Sequence, residues 1–206
     1  MKSTIKNELN LGGQRFNLGD GDMDLSNSQL NRLPDGLTVG GNLNLHNTPL
    51  SELPENLTVN GNLNLSGTKV IKIPKSLIVK GNLDLHDTSI TFLPDGFSVG
   101  GDLSLSDTDI ASLPEGMVIG GGLNLSRTKI TKLPNTLTVG RDINLSGTQV
   151  NELPDGLVVT GYLDMSGTNI TELPTGLIVE GNLDLTGTSI GQIPCGLPIG
   201  GQVYLG

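Results

Sequence analysis

The sequence predicts an all-β-leaning solenoid of about ten stacked 20-residue coils, with a parallel strand face, an extended or polyproline-like back and few or no helices. Three observations predict it. Leu33-Pro34 recurs as Leu53-Pro54, Ile73-Pro74, Leu93-Pro94, Leu113-Pro114, Leu133-Pro134, Leu153-Pro154, Leu173-Pro174 and Ile193-Pro194, always 20 residues apart and taking nine of the 11 prolines. A fixed short period of this kind marks a stacked-repeat architecture. Aromatic residues make up only 2% of the chain and Trp is absent, so the interior has to be narrow layers of Leu, Val and Ile. No insertion breaks the register from Asp22 onward, and so short a coil has no room for a helix on its back.

The coil from Leu33 to Glu52, LPDGLTVGGNLNLHNTPLSE, serves as the template. Leu37 and Val39 alternate with Thr38, which puts both inward on an extended back segment. The next two positions form a tight corner. The first accepts Asn60, Lys80 or Glu180, whereas the second is Gly in every coil except at Arg141. A Cβ at that second position should clash, or its φ should be positive. Leu43 and Leu45 alternate again, inward on the main strand, with Asn42, Asn44 and His46 outward. The chain then turns at the Asn47 and Thr48 positions. Thr recurs there in all later full coils, and should form a hydrogen-bonded ladder inside the turn that satisfies the corner backbone. Leu50 and Leu53 point inward, and Pro54 stops any strand or helix from running on. Burying these side chains stabilises one coil by about 10 kcal/mol. Fixing its backbone costs ~20 kcal/mol or more. Stacking on neighbours is therefore obligatory.

The ends depart from the template. Residues 1–21 read as an N-terminal cap, in which Leu9-Asn10-Leu11 imitates the strand while Phe16 and Leu18 are one residue out of register; residues 22–206 read as one solenoid domain. The chain stops in mid-strand at Gln202-Val203-Tyr204-Leu205-Gly206 without a capping coil. Either that strand is open to a partner, with Gln202 and Tyr204 as contacts of an end-to-end homodimer, or the chain belongs to something longer.

The coil resembles the 20-residue leucine-rich repeats of the bacterial YopM and IpaH effector class, through the T-x-L-x-x-L-P and L-x-L elements. It is more similar to the LPxGLxVGGxLxLxGTxI repeats of bacterial and bacteriophage proteins, as Leu153 to Ile170, LPDGLVVTGYLDMSGTNI, illustrates. The resemblance covers about nine-tenths of the chain and implies a leucine-rich-repeat solenoid. It also implies a protein-binding module whose strand face makes the contacts. Thr stands where the effector class has an Asn ladder, the back apolar position is displaced by one, and there is no room for a ligase domain.

The formal charge of −9 is concentrated on that face. The Asn42, Asn44, His46 and Asn47 positions hold Asp22, Asp24, Asp84, Asp87, Asp102, Asp107, Asp142, Asp164 and Asp184, against Arg127 as their one basic residue. An acidic, Asn-rich face steers basic partners. The competing reading is that these side chains only keep a rod soluble and its edges apart. The candidate partner-binding residues are Asp22, Asp24, Asn44, Asn64, Asp84, His86, Asp102, Asp142, Tyr162, Asp164 and Asp184, for a basic protein. Nucleic acid should be repelled, because binding it needs Lys and Arg. No stretch is long enough to span a membrane, and the N-terminus lacks the apolar run of a Sec signal, so a cytoplasmic location is expected.

The chemistry-bearing residues point away from an enzyme, and no cofactor is expected. Cys195 is the single cysteine and lacks a His in register, so neither a disulfide nor a thiol nucleophile follows. Asp20, Asp22 and Asp24 alternate as in a calcium loop, but no Glu stands at the twelfth loop position and two of the three fall in strand positions. His46 and His86 share a position two coils apart with Ser66 between them, about 10 Å, too far to share a metal. Asp84 with Asp102 makes a carboxylate pair of the kind a glycan-processing solenoid would use, but a flat ladder should offer no pocket to desolvate it. Tyr162 and Tyr204, the only tyrosines, fall in outward strand positions as candidate binding anchors.

Overall fold

The computed structural model describes residues 21–206, together with the strands Glu8–Leu11 and Gln14–Asn17. It is a stack of about nine coils, a parallel β-solenoid with no helix among the described residues. The alternating pairs on either side of the Gly-Gly corner produce two ladders. The front ladder is a ten-stranded parallel sheet running from Met23–Asp24 to Val203–Leu205, each strand paired with the equivalent residues of the next coil, as in Leu43↔Leu63 and Asn44↔Asn64. The back ladder consists of short parallel sheets, beginning with Thr38–Val39, Thr58–Val59 and Ile78–Val79. The extended back is thus partly a ladder in its own right.

The core is the column between the two ladders. Leu43, Leu45, Leu50, Leu57, Val59 and Leu65 are all buried, as are their counterparts in the following coils. Packing such layers leaves no buried side-chain polar atom without a partner among the described residues. The recurring Thr contributes to this inside the turn, as expected of it. Its hydroxyl donates within its own coil, three residues back, as in Thr68 Oγ1 to the Leu65 carbonyl at 2.7 Å and Thr128 Oγ1 to that of Leu125 at 2.7 Å. A short β-branched hydroxyl reaches the carbonyl of its own turn more readily than the next coil.

Near the N-terminus, Leu9-Asn10-Leu11 is a strand, but it pairs antiparallel with Gln14–Asn17 instead of joining the front ladder. Leu18 lies outside the described residues. No helix of the described residues is long and apolar enough to cross a membrane.

Candidate functional site: the front face

Front-face side chains expected to project freely toward a partner are largely used by the fold. In the Asn42 position, Oδ1 of each Asn or Asp accepts the backbone N–H of the same position one coil on. Asp22 accepts from Asn42 at 2.7 Å, Asn42 from Asn62 at 2.7 Å, Asn62 from Asn82 at 2.8 Å, Asn82 from Asp102 at 2.8 Å and Asp102 from Gly122 at 2.8 Å. Asp142 continues the row with Tyr162 at 2.7 Å, and Asn182 with Gln202 at 2.8 Å. These oxygens satisfy N–H groups that the two-residue strands leave over.

The ladder oxygen and the preceding coil's backbone together explain the glycine beside it; a Cβ on Gly181, which follows Tyr162, would still fall 2.5 Å from the Gly161 carbonyl oxygen. A Cβ on Gly61 would fall 2.5 Å from Asn42 Oδ1, and Gly81, Gly101, Gly121, Gly161 and Gly201 meet the same oxygen in their preceding coils. None of these glycines has a positive φ, so the requirement is space alone. Arg141, the one exception, follows Gly122, which has no side chain to collide with.

The Asn44 position performs a second task. Asp24, Asn44, Asn64, Asp84, Asn124, Asn144, Asp164 and Asp184 each accept the N–H two residues on, closing the corner; Asp84 does so with His86 at 3.0 Å and Asp164 with Ser166 at 2.9 Å. Short Asx side chains close turns in this way. The next corner residue takes a left-handed conformation at Asn27, Asn47, Asp87, Asp107 and Arg127, with φ of 54–59°, and at Gly67, Gly147, Gly167 and Gly187. Gly36, Asn56 and Gly96 do the same at the far corner. Of the two alternatives expected at the Gly41 position, a clash or a positive φ, the structure shows the clash, and positive φ falls at these two corners.

Charges on the face interact sparingly. Arg127 donates two hydrogen bonds to Asp107, at 2.6 and 2.5 Å, and Arg141 reaches back two coils to Asp102 Oδ1 at 3.1 Å. The Arg127 hydrogen bond holds the Asp107 carboxyl below its ordinary pKa, with the Arg127 and His86 charges acting the same way. Asp24 is held low chiefly by the Ser26 backbone N–H. At Asp184 partial burial works in the opposite direction and is outweighed by hydrogen bonds from Thr186 and Tyr162, so its pKa is also lowered.

Tyr162 is half-buried on the face and tied to the next coil. Its hydroxyl donates to Asp184 Oδ2 at 3.0 Å, and partial burial first, then that bond and the neighbouring carboxylates, push its pKa up. Tyr204 stays exposed, with its hydroxyl donating to Gln202 Oε1 at 2.8 Å.

No family model and no curated protein matches the chain.

Chemistry on this face is limited by the same hydrogen bonds. His46 Nδ1 sits 2.8 Å from Ser66 Oγ, but the Ser66 hydroxyl is already donated to Asn64 Oδ1 at 2.6 Å, so the imidazole does not hold its proton. His86 lies 4.0 Å from Asp107. Of the alternating carboxylates considered for calcium, Asp20 lies outside the described residues, and Asp22 and Asp24 serve the ladder and the turn. Among the described residues, no three His, Cys, Asp or Glu side chains converge as a metal site would require. Cys195 is exposed.

A concavity lies on the Leu-Pro edge, away from the strand ladder. A groove of about 590 Å³ runs past Glu115, Lys132, Glu152, Asp155 and Glu172. It does not include Asp84 or Asp102 and offers that pair no shelter.

Proposed function

We propose that the chain is a non-catalytic protein-binding scaffold that engages a basic protein surface through its front face. The observation that carries this is a surplus of charge over structural need. The ladder and turn positions require an oxygen acceptor, and Asn42, Asn62, Asn82, Asn44, Asn64, Asn124 and Asn144 supply it without charge. Asp22, Asp102 and Asp142, and Asp24, Asp84, Asp164 and Asp184, make the same bonds with a carboxylate. Their charge is therefore dispensable for the fold, yet it accumulates on a single face, where it sets the field met by an approaching partner.

The test is a charge-matched pair of variants. One carries Asp84→Asn, Asp102→Asn, Asp142→Asn and Asp164→Asn; the other carries Asp95→Asn, Asp155→Asn, Glu152→Gln and Glu172→Gln away from the face. Pull-downs at low and high salt should show partner capture that is lost in the first variant, kept in the second and weakened by salt. Equal capture by both contradicts the proposal.

A second reading is favoured by the strand Val203–Leu205, which among the described residues pairs with Leu183–Leu185 and exposes Tyr204 and Leu205. Exposed large side chains on a strand favour association, so this strand would dock an assembly partner or a second copy. Light scattering that shows a strict monomer at high concentration counts against self-association.

A further inference from the structure

Tyr162 stands in the Asn42 row between Asp142 and Asn182, both of which carry the row on by accepting the N–H of the next coil. Tyr162 makes no such bond among the described residues, so an Asn there would serve the ladder better. Its hydroxyl is instead given to Asp184, two positions along the strand and one coil on. With ~3.3 Å per residue and ~4.8 Å between strands, the two Cα atoms are about 8 Å apart. Asp184 Oδ1 also accepts the Thr186 N–H at 2.9 Å, which keeps the carboxylate close to the backbone. An upright ring could not span this distance. The Tyr162 ring therefore lies along the face, with one π surface on the strands and the other turned outward.

Carboxylates and a second phenol surround this ring. Asp164, Asp184 and Tyr204 are in-register neighbours on successive strands. Tyr204 is exposed, and its hydroxyl donates back along its own strand to Gln202 Oε1 at 2.8 Å. Burial, the Asp184 bond, and the charges of Asp164, Asp184 and Tyr204 together raise the Tyr162 pKa, which places all three groups close to the phenol. Asp164 uses Oδ1 for the Ser166 N–H at 2.9 Å, and its Oδ2 takes no hydrogen bond among the described residues. Nor is the charge neutralised here. Asp102, Asp107 and Asp109 are paired with Arg141, Arg127 and Lys129, whereas Asp142, Asp164 and Asp184 form no ion pair among the described residues.

We propose that this part of the face seats an arginine side chain of the protein partner, its guanidinium stacked on the outward surface of the Tyr162 ring and bonded to Asp164; this rests on the reading of the front face as a protein-binding surface. A guanidinium is planar, so it can lie on a ring and still aim N–H groups at a carboxylate beside it. Lys presents a compact ammonium without that fork, and holds the ring and the carboxylate less well together. A carboxylate meets like charge from Asp142, Asp164 and Asp184. The other acids of the face gather a basic partner through their field, and this arginine seat sets its register.

The test uses a displayed library of linear dodecapeptides selected against the whole chain. Binders are then measured on Tyr162→Asn, Asp164→Asn and Asp84→Asn. The first restores the regular ladder residue, and the other two keep the turn oxygen, so all three should melt near the parent temperature. Asp84→Asn and Asp164→Asn each remove one charge from the same row, four coils apart. The expected binders share an Arg whose replacement by Ala weakens them about tenfold, and Tyr162→Asn and Asp164→Asn weaken them by about the same factor, near the worth of one cation–ring contact or charge-assisted bond. Asp84→Asn, beyond the screening length from the seat, should change affinity by less than about threefold. Binders weakened equally by Asp84→Asn and Asp164→Asn and unmoved by Tyr162→Asn overturn the arginine seat and leave the face reading in place. So do binders that keep their affinity when Lys replaces the Arg. Binders indifferent to every variant, or a selection that yields none, overturn both.

Discussion

Gly101→Ala, made alone and together with Asn82→Gly, probes the steric logic of the front face. The new Cβ falls on Asn82 Oδ1 and lies 2.9 Å from the Gly81 carbonyl carbon and 3.0 Å from the Asn82 nitrogen. Relief requires Oδ1 to move, which breaks its 2.8 Å bond from the Asp102 N–H. The lost bond is worth ~1 kcal/mol, and the residual backbone crowding about 1–3 kcal/mol. Gly101→Ala should therefore destabilise by about 2–4 kcal/mol. Asn82→Gly loses the same bond and adds unfolded-state freedom, together about 1.5–2 kcal/mol. In the double variant the bond is lost only once and the Oδ1 collision is gone, so the total should fall short of additivity by about 1.5 kcal/mol. Arg141 beside Gly122 is the same compensation made by the sequence itself. Urea midpoints followed by far-ultraviolet circular dichroism measure the three variants. Additivity within ~0.5 kcal/mol would refute the steric account.

Other expectations follow from the same contacts. Asp84→Asn and Asp164→Asn should leave the melting temperature nearly unchanged, whereas the Ala versions should each cost ~1 kcal/mol, because the turn needs an oxygen and not a charge. Thr128→Val should cost only ~0.5–1.5 kcal/mol, since the Leu125 carbonyl it abandons still accepts the residue-128 N–H at 3.2 Å. Asp24, Asp107 and Asp184 have folded-state pKa values below the ordinary 3.8, so the stability they confer is complete above that value and disappears as pH falls through the lower folded values. Melting temperature should thus be insensitive to these groups near neutrality and fall below about pH 4, less steeply for Arg127→Gly, which removes the partner of Asp107. A phenol absorbance titration should lose its higher-pH step on Tyr162→Phe, because the Tyr162 hydroxyl is partly buried and given to Asp184.

The column of the solenoid was legible because its cause is periodic. The Leu-Pro spacing and the Leu43/Leu45 and Leu37/Val39 alternations each reported a single physical requirement, burial, that recurs in every coil, and Val59 and Leu65 are fully buried as that required. The side-chain ladder was harder to read because Asn and Asp on an outward strand position have the same pattern whether solvated or bonded to the next coil. A signal was present nonetheless: Gly at the Gly41 position fails only where the preceding ladder residue is Gly122. Likewise, the restriction of the Asn47 position to Asn, Asp and Gly, apart from Arg127, pointed to left-handed backbone. A related pairing sits at the far corner. Ser76 and Thr136, the two residues there with hydroxyls, follow Glu55 and Glu115 one coil back and bond to their carboxylates. The Ser76 and Thr136 oxygens also accept the N–H groups of Asn56 and Gly116, replacing the carbonyl that serves Gly36. The Tyr162–Asp184 bond was not legible because no repeat pattern reports that a phenol lies over a carboxylate in the next coil.

Amide hydrogen exchange along the Asn42 position tests most directly whether front-face oxygens are part of the fold. The N–H groups of Asn62, Asn82, Asp102, Gly122, Tyr162 and Gln202, each bonded to an Asx oxygen, should be protected. Those of Asp142 and Asn182, which follow Gly122 and Tyr162, should exchange at rates near those of open chain. Uniform protection along the row, or uniform lack of it, would contradict the account.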